Sequence, residues 1–487
     1  MPFYNLDEIK NLLESLACQL IEEKGFIPEF SKESIDEINK LPPREPFEKK
    51  DFTDLFWVSI DNIESMDLDQ ISYCERLDGE NYRVYVAIAD VDHFIPFDSE
   101  VDRIARNNTT TVYTPFKIFP MIPKEYCYDK TSLLPNKKRE AIVVQMKVVK
   151  DGFFFLESIH YGIVENKAKL NYPEVSDYID YGTPIRNEHP LQEKIESQIT
   201  LHDEIAKKIH HFRFQSGALL LSPSQGEVVF EDGIPKKIKE KKPSTGQRII
   251  ENLMIACNVC VTKFFMNAQL PILRRIVKTP KRWNRIVEIA AKLDWKLPKK
   301  PYAKSLQEFL VHMKKKDPDR FPDLSLTIIK LIGRGEYILA MPGEKSIGHF
   351  DLALIDYAHT TAPNRRYPDL MMQRILKNEL FNQQVRFERS ILQNIASNCS
   401  FKEDAASKVE RQLFKSFAAY LLSEKLHEVF KAIVTGVTDK GTWIRLVDIP
   451  VEGKLIEGYE NIDVGDSIEA ELVHLDIPKG FIDFCKK

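Results

Sequence analysis

Apolar positions along the chain follow two different periods, and the change between them divides the sequence into regions. Residues 5–24 repeat apolar side chains at helical spacing up to Gly25, and a second short helix is predicted over 31–41. The period then shortens to that of strands, which are predicted over 55–60, 71–75, 83–89, 141–149 and 153–163. The pattern therefore predicts a small helical region followed by a sheet.

The second half of the chain repeats this order, with helical spacing first and strand spacing after it. Helical spacing dominates over 191–214 and 248–265 and continues to about residue 427. Strand patterns then return over 431–437, 441–447, 467–475 and 480–484. This last segment resembles an S1-type OB-fold, a barrel of five short strands that binds single-stranded nucleic acid by stacking and backbone charge. Trp443 is its obvious candidate for a stacking side chain.

These regions predict an α+β protein whose sheet comes first and whose helices follow. We expect a helical region over residues 1–50, a catalytic body over 51–428 that includes the later helices, and an all-β OB barrel over 429–487. A length of 487 residues is ample for two to four domains with a sizeable core.

Composition favours an intracellular globular protein, with 43% hydrophobic and 29% charged residues. We find no run of about 18 apolar residues, so no membrane span is expected. The N-terminus has no basic stretch followed by an apolar one, which favours the cytoplasm. The seven cysteines are odd in number and scattered, so they predict no disulfide framework, and Cys257 and Cys260 are expected to be buried thiols.

A net charge of −4 does not exclude a nucleic-acid partner, because phosphate binding depends on local clusters of charge. Basic residues do cluster along the chain. The clusters are Lys236, Lys237, Lys239, Lys241 and Lys242, then Arg274 and Arg275, then Lys299 and Lys300, and then Lys314, Lys315 and Lys316. The sequence alone does not separate a binding surface from solvated loops and helix faces.

The chemistry of the chain is concentrated in Asp61, Asp67 and Asp69. A predicted strand ends at Asp61, and the loop after it returns two carboxylates spaced two residues apart, which point to one face of an extended chain. Carboxylates held this close repel each other unless a cation neutralises them, and oxygen ligands favour Mg²⁺ or Mn²⁺ over zinc. By itself the cluster is weak evidence for a metal site, because acidic loops are usually solvated turns.

A second segment, YAHTTAPNRRYPDL at residues 357–370, changes that interpretation. Together the two segments resemble the RNB family, the ribonuclease II and ribonuclease R exoribonucleases. Further matches lie between them in the same order, at VAIADVDH (86–93), TVYTP (111–115) with 118–123, and IENLMIACN (250–258). The resemblance covers roughly residues 51–430.

The resemblance implies a metal-dependent hydrolase that degrades single-stranded RNA from its 3′ end to nucleoside 5′-monophosphates. Asp61, Asp67, Asp69 and Gln70 would form the site for Mg²⁺ or Mn²⁺, and Asp69 would orient or activate the attacking water. Arg365 would bind the scissile phosphate and stabilise the transition state. Asp61, Asp67, Asp69 and Arg365 are thus the expected catalytic residues.

Contacts to RNA are also implied by the resemblance. Tyr113 matches an aromatic that stacks on the 3′-terminal nucleotides, and stacking tolerates any base. Tyr172 and Glu410 match further positions near the terminal nucleotide. Arg366 would either contact RNA or pair with Asp369.

The chain departs from the family pattern at several positions. Gln70 stands where a fourth aspartate is usual, and a carboxamide brings no charge to a metal site, so affinity for the ion should fall. An Asp-Leu-Asp-Gln sequence resembles a branch of short RNB proteins without N-terminal cold-shock modules. The other departures are Ala362, Asn364, Asn252 and Val277.

Two alternatives remain open from the sequence. A catalytically weak RNB-like protein that binds RNA would agree with the neutral Gln70. An unrelated aspartate-based phosphohydrolase would agree with Asp-x-Asp after a strand, although the Arg365-Arg366-Tyr367 segment argues against it.

Overall fold

The computed structural model describes residues 6–40, 47–115, 117–186, 189–222, 225–231, 234–241, 243–344, 347–383 and 385–487. The α-helices within these ranges are α1 (Leu6–Glu23), α2 (Lys32–Lys40), α3 (Glu100–Asn108), α4 (Tyr172–Tyr181), α5 (Gln192–Gln215), α6 (Thr245–Asn267), α7 (Trp283–Lys292), α8 (Ala303–Lys316), α9 (Phe321–Ile332), α10 (Tyr367–Leu380) and α11 (Arg389–Leu421).

Strands dominate two stretches of the chain. The first set is β1 (Lys50–Asp51), β2 (Trp57–Asp61), β3 (Gln70–Arg76), β4 (Tyr82–Ala89), β5 (Val112–Tyr113), β6 (Ile118–Phe119), β7 (Lys138–Val148) and β8 (Phe154–Asn171). Four strands lie among the helices: β9 (Gln225–Glu231), β10 (Ile234–Lys241), β11 (Ile272–Val277) and β12 (Gly335–Ala340). The last set is β13 (Val429–Thr438), β14 (Gly441–Leu446), β15 (Glu452–Glu457), β16 (Ser467–Asp476) and β17 (Phe481–Lys486).

The main sheet has the strand order β1-β8-β2-β3-β4-β7, and β7 also pairs with β8. The long β8 makes this possible, because its first part pairs with β7 and its last residues pair in parallel with β2. The sheet therefore folds back on itself. The last residues of these two parallel strands, Asp61 of β2 and Asn171 of β8, lie side by side.

Helices α5 and α6 cover one face of this sheet. Buried apolar residues of both helices belong to the same core as strands β2, β3, β4 and β7. By length and composition α6 could cross a membrane, which the apolar pattern of the sequence did not predict, but 78% of its most apolar window is buried inside the protein. Such burial is typical of a core helix.

Helices α7, α8 and α9 form a separate unit with its own apolar core around Trp283, Phe309 and Phe321. The long α11 lies at the centre of the other contacts. It packs against α1, β12 and the C-terminal strand β17. Because α11 touches each of these elements, it connects the two-stranded β11–β12 sheet, helix α1 and the barrel.

The C-terminal strands close into a barrel in the order β13-β14-β15-β17-β16. Its interior is filled by alternate apolar residues such as Ile444, Leu455 and Phe484. The predicted α+β class and the C-terminal OB barrel are therefore confirmed. One of the five strands, β15, lies outside the strand ranges that the sequence predicts.

Candidate active site

Asp61 reaches the site because it ends an otherwise buried strand. The preceding residues of β2 are buried, while Asp61 is half-buried at the edge where β2 and β8 end together. The loop after it is held by Lys169 of β8, whose ammonium donates to the carbonyl oxygens of Ser65 at 2.6 Å and Ile63 at 3.3 Å. This anchoring returns the chain so that Asp67 and Asp69 face the end of β2.

Asp69 is the most enclosed of the three carboxylates, with 2% of its surface exposed. The backbone N–H of Asn364 donates to its Oδ1 at 2.8 Å, and Nε of Arg365 donates to its Oδ2 at 3.1 Å. The carbonyl of Asp69 accepts the N–H of Ala89, which extends the β3–β4 ladder by one residue. Asp69 is therefore fixed by backbone and side chain together.

The three carboxylates carry more negative charge than their surroundings neutralise. Burial raises the pKa of Asp61 and of Asp69 from 3.8 to about 7; Arg365 opposes the rise and the charge of Asp67 adds to it. Burial also raises the pKa of Asp67. The buried Oδ2 of Asp61 has no hydrogen-bond partner among the described residues. An unpaired buried carboxylate oxygen is costly, so the cluster favours a bound cation.

Arg365 is placed by the loop that precedes α10. Its carbonyl accepts the N–H of Thr111, and the neighbouring Asn364 accepts a hydrogen bond from the hydroxyl of Thr131 at 2.5 Å. The Arg365 side chain keeps 42% of its surface exposed while its Nε donates to Asp69. The remaining N–H groups can therefore reach a phosphate beside the carboxylates.

Arg366 behaves differently from its neighbour. Its Nη2 donates to Oδ1 of the fully buried Asp369 at 2.6 Å, three residues along the chain. The same carboxylate accepts the N–H of Ala362 at 2.9 Å. This is the pairing that the sequence offered as the alternative to an RNA contact, and it stabilises the loop that carries Arg365.

Tyr113 and Glu410 meet at the same place. The hydroxyl of Tyr113 donates to Oδ2 of Asp67 at 3.2 Å, and its backbone N–H donates to Glu410 at 3.3 Å. Burial raises the pKa of Glu410, and the Tyr113 N–H partly offsets it. Because 41% of Tyr113 is exposed, its ring offers a free face beside the carboxylates.

Tyr172 lies near Asp61, just after the end of β8. It is the first residue of α4, directly after Asn171, whose side chain caps that helix in a capping box with Glu174. Its pKa is raised first by burial and then by the charge of Asp61. Gly246 of α6 lies against the Tyr172 backbone so closely that a Cβ would come within 2.9 Å of its carbonyl oxygen. Tyr172 therefore has a rigid position near Asp61.

Gln70 is the first residue of β3 and is half-buried. Successive side chains of a strand alternate between its faces, so Gln70 shares a face with Ser72 and leaves the strand on the side opposite to Asp69. Its carboxamide makes no hydrogen bond within the described ranges. Its role as a metal ligand stays a prediction.

The departures from the family pattern occupy defined positions. Asn252 of α6 accepts a hydrogen bond from the buried Arg213 at 2.7 Å and donates to the carbonyl of Arg248. Asn364 serves the site through its backbone N–H, which any residue other than proline supplies. Val277 ends β11 opposite Gly335. These contacts are structural and require no charged side chain.

Lys169 and Thr131 support the site but were not predicted from the sequence. A signal for Lys169 existed, since it lies two residues before Asn171 and so on the same face of β8. Its charge also lowers the pKa of Asp61 and Asp67, after larger effects of burial and Arg365. Thr131 gave no local signal, because its partner Asn364 is remote in sequence.

A second group of possible ligands consists of Asp90, His93 and Glu140, whose ligand atoms lie within 4.8 Å of one another. Lys377 lies 2.8 Å from Asp90, and Lys49 pairs with Glu140. The ammonium groups of Lys49 and Lys377 thus already neutralise the negative charge of Glu140 and Asp90. The carboxylates around Asp61 have no lysine ion pair of this kind among the described residues.

Comparison with known proteins gives matches over most of the chain. The RNB domain family matches residues 49–382, and the RNase II-type exonuclease C-terminal S1 domain matches residues 428–486. Ribonuclease R of Thermotoga maritima is 27% identical over 496 residues, which cover 94% of this chain and 68% of that protein. Ribonuclease R of Escherichia coli is 27% identical over 85% of this chain, but the match spans only 52% of its own length.

The fold has a solved counterpart as well. Mycoplasma genitalium RNase R in complex with ribose methylated single-stranded RNA superposes with a TM-score of 0.87 at 21% identity, over 98% of this chain and 78% of that chain. This likeness shows a shared fold from the N-terminal helices to the barrel. The curated relatives are exoribonucleases of the ribonuclease R type, which supports the enzyme class expected from the sequence.

Proposed function

Because the chain belongs to the RNB family, we propose that it is a metal-dependent 3′→5′ exoribonuclease that hydrolyses single-stranded RNA to nucleoside 5′-monophosphates. One observation carries the proposal: Asp61, Asp67 and Asp69 converge beside a half-exposed Arg365. The carboxylates can ligate a cation, and the guanidinium beside them can bind a phosphate.

The donor set fits a hard divalent cation such as Mg²⁺ or Mn²⁺. Asp61 and Asp67 would hold it, with Asp69 beside them and Gln70 as a candidate neutral ligand. The unpartnered Oδ2 of Asp61 supports this assignment, since a ligand would satisfy it. When bound, such an ion supplies Lewis-acid activation of water and charge stabilisation at phosphorus.

Asp69 and Arg365 have distinct roles in this proposal. Asp69 would orient the water and take up its proton, since a carboxylate with a pKa near 7 can act as a base at neutral pH. Arg365 would bind the non-bridging oxygens of the phosphate and stabilise the charge that develops there. Their mutual hydrogen bond fixes both relative to the reacting atoms.

The 3′ end of the RNA would lie between Tyr113 and Tyr172. The exposed ring of Tyr113 would stack on a terminal base, and Glu410 would accept hydrogen bonds from the terminal ribose. Arg366 would contribute indirectly by holding the loop. Since stacking tolerates any base, we expect degradation without sequence preference.

The barrel would provide the distal grip on RNA. In this view residues 1–50 form a helical region, 51–428 the catalytic body and 429–487 the RNA-binding barrel. Single-stranded RNA is the proposed partner, and the cytoplasm is the proposed location.

The decisive experiment follows a 5′-labelled single-stranded RNA over time with Mg²⁺, with Mn²⁺ and with EDTA. We expect a ladder that shortens from the 3′ end, release of 5′-monophosphates, and no reaction in EDTA. A 3′-phosphate on the same RNA is the matched control, since it alters only the end that the enzyme would attack. Internal cleavage products of both RNAs would contradict the proposal.

A second candidate is a catalytically weak protein that binds RNA, and the neutral Gln70 favours it. The same experiment separates the two functions. Binding without shortening, at any concentration of either metal, would support the second.

A further inference from the structure

Helix α1 is followed by a tight turn over residues 24–27, which we call the α1 turn. Gly25 has a φ of +72°, a conformation that favours glycine. The N–H of Phe26 donates to the carbonyl of Ile21 at 3.0 Å. The N–H of Gly25 donates to the carbonyl of Glu22 at 2.8 Å. Because these two bonds form a Schellman motif, the shape of the α1 turn is fixed.

The α1 turn packs behind two residues of the candidate active site. Phe26 belongs to the same buried apolar core as Val112 of β5 and Val409 of α11. Each of these valines directly precedes a site residue, Tyr113 or Glu410. Neighbouring side chains of a strand point to opposite faces, and Val112 is buried while Tyr113 is exposed. The α1 turn therefore supports Tyr113 from the side away from the carboxylates.

The end of α3 binds the backbone of the α1 turn. Asn108, the last residue of α3, is buried. Its Oδ1 accepts the N–H of Ile27 at 2.8 Å, and its Nδ2 donates to the carbonyl of Ile27 at 2.8 Å. The neighbouring Asn107 donates from Nδ2 to the carbonyl of Gly25 at 3.0 Å. These hydrogen bonds fix α3 and the α1 turn relative to each other.

Lys402 of α11 binds the same turn from another direction. Its side chain is buried, and its ammonium donates to the carbonyl oxygens of Lys24, at 3.2 Å, and of Gly25. The ammonium also lies 4.4 Å from the centroid of the Phe26 ring. Burial lowers the pKa of Lys402. A buried ammonium is costly unless it is hydrogen-bonded, so α11 and the α1 turn stabilise each other.

A continuous series of hydrogen bonds joins the α1 turn to the site. The chain leaves Asn108 through Thr109, which has a φ of +60°. The next residues run antiparallel to the loop that carries Arg365, and the N–H of Thr111 donates to the Arg365 carbonyl at 3.0 Å. Tyr113 comes two residues later. A displacement of Asn108 would therefore be transmitted to Tyr113.

Asp61 and Asp67 have a different support. Asp61 ends a strand of the main sheet, and Lys169 binds the loop between the two carboxylates. We therefore expect changes in the α1 turn to affect Tyr113 more than the metal site.

We propose that the α1 turn is a positioning element that holds Tyr113 where it can stack on the 3′-terminal base, with Asn108 and Lys402 as its positioning residues. Neither residue contacts RNA; they act through residues 109–113 and α11. The inference rests on the proposed function, because it takes the terminal base to stack on Tyr113. It gives the N-terminal helical region a part in the selection of an intact 3′ end.

The test compares two 5′-labelled RNAs of equal length in EDTA by fluorescence anisotropy. One ends in an ordinary nucleotide and the other in a 3′-terminal ribose without a base. The parent should bind the intact RNA about tenfold more tightly, the contribution of one stacked base. Asn108→Ala and Lys402→Met should lose affinity for the intact RNA alone, which brings the two affinities to within about threefold. Lys402→Arg should keep most of the preference, since a guanidinium still donates to the carbonyl oxygens.

Gln198→Ala is the matched control. Gln198 of α5 makes the same pair of amide bonds to a backbone, accepting the N–H of Cys74 at 3.1 Å and donating to its carbonyl at 3.0 Å. Its loss should lower Tm as Asn108→Ala does but leave the tenfold preference unchanged, so the preference separates positioning from stability.

The inference would be overturned if the Asn108 and Lys402 variants kept the preference of the parent, or if Gln198→Ala lost it equally. A parent that does not distinguish the two RNAs would contradict stacking at Tyr113, and the inference with it. Because no turnover is measured, a parent that distinguishes them but does not shorten RNA would contradict only the proposed hydrolysis.

Discussion

Two groups of carboxylates lie in this protein at similar depth but differ in their charge balance. The site cluster consists of Asp61, Asp67 and Asp69, and Arg365 is the one guanidinium bonded to it within the described residues. Its pKa values are raised, with Asp61 and Asp69 at about 7. It therefore lacks positive charge.

The second group, the ionic core, combines Asp90, Asp92 and Asp102 with Arg374 and Lys377 of α10. Arg374 lies 2.8 Å from Asp102 and 3.1 Å from Asp92, and Lys377 lies 2.8 Å from Asp90 and 3.1 Å from Asp92. Burial lowers the pKa values of both cations, but the carboxylates outweigh it and the net shifts are upward. Each charge here has a protein partner.

This difference in charge balance indicates which of the two groups of acids binds a ligand. A buried carboxylate that the protein neutralises contributes to structure, whereas one that it leaves partly unpaired is poised for a ligand. Position in the sequence does not make this distinction, since Asp61 ends β2 and Asp90 directly follows β4 of the same sheet. Substitutions in each group should therefore have different consequences, for turnover in the site cluster and for stability in the ionic core.

The largest effect is expected from Asp69→Asn. Loss of this carboxylate should lower the single-turnover rate by about 10²–10⁴-fold, the contribution of a general base, while RNA affinity in EDTA stays within a few-fold. Single-turnover kinetics and anisotropy measure the two quantities. The control is Glu64→Gln, an exposed acid of the same loop. Turnover comparable to that of the parent would refute the role of Asp69.

In the ionic core, Lys377→Met should affect stability instead. It leaves Asp90 buried without its cation, and removing one partner of a buried pair costs about 3–5 kcal/mol. Urea unfolding measures the loss. At a temperature where the variant is folded, its turnover per folded molecule should match that of the parent. Lost turnover at unchanged stability would assign the ionic core a part in catalysis.

Arg365→Ala should lower the rate by about 10²–10³-fold, as expected for loss of one stabiliser of transition-state charge, and it should also weaken RNA binding. Lysine at position 365 should restore only part of the rate, since a point charge does not replace a bidentate fork. Because Arg365 lowers the pKa of Asp69, its removal should shift the pH–rate profile upward. Full rescue by lysine would show that charge alone is required.

Gln70→Asp adds a charge to the site cluster and should lower the Mg²⁺ concentration for half-maximal degradation by about tenfold, or ~1.4 kcal/mol. The parent should work better with Mn²⁺ than with Mg²⁺. Titration of both ions against both proteins measures the midpoints. Identical midpoints would place residue 70 away from the metal, in agreement with its position on the face opposite to Asp69.

The smallest effect concerns pH and thermal stability. The folded-state pKa values of Asp61 and Asp69 lie above their usual value of 3.8, so their contribution to stability is present at low pH and is lost as pH rises through about 7. A cation that binds the ionised carboxylates offsets this loss. We expect Mn²⁺ to raise Tm by a few degrees more at pH 8 than at pH 6.

Thermal denaturation in Mn²⁺ and in EDTA at both pH values provides the measurement. Asp61→Asn/Asp69→Asn is the matched control, since it removes both titrating groups. An equal increase of Tm at pH 6 and pH 8 in the parent would mean that the ion binds elsewhere.

Periodicity determined much of the fold from the sequence alone. The strand predicted over 55–60 is β2, and the helix predicted over 248–265 is α6, because both are dominated by local apolar patterns that tertiary packing preserves. Asp61 was placed correctly at a strand end for the same reason. The sequence missed strands with weak apolar patterns, among them β15, whose sequence EGKLIE alternates poorly, and the lysine-rich β10.

Charge balance was decided by the tertiary structure alone. The contact between Asp69 and Asn364 joins residues 295 positions apart. The pairing of Arg366 with Asp369 could be weighed from the sequence because it spans three residues. Local patterns record which face of an element is apolar, but burial and Coulomb interactions depend on distances between elements, and those exist only after the chain has folded.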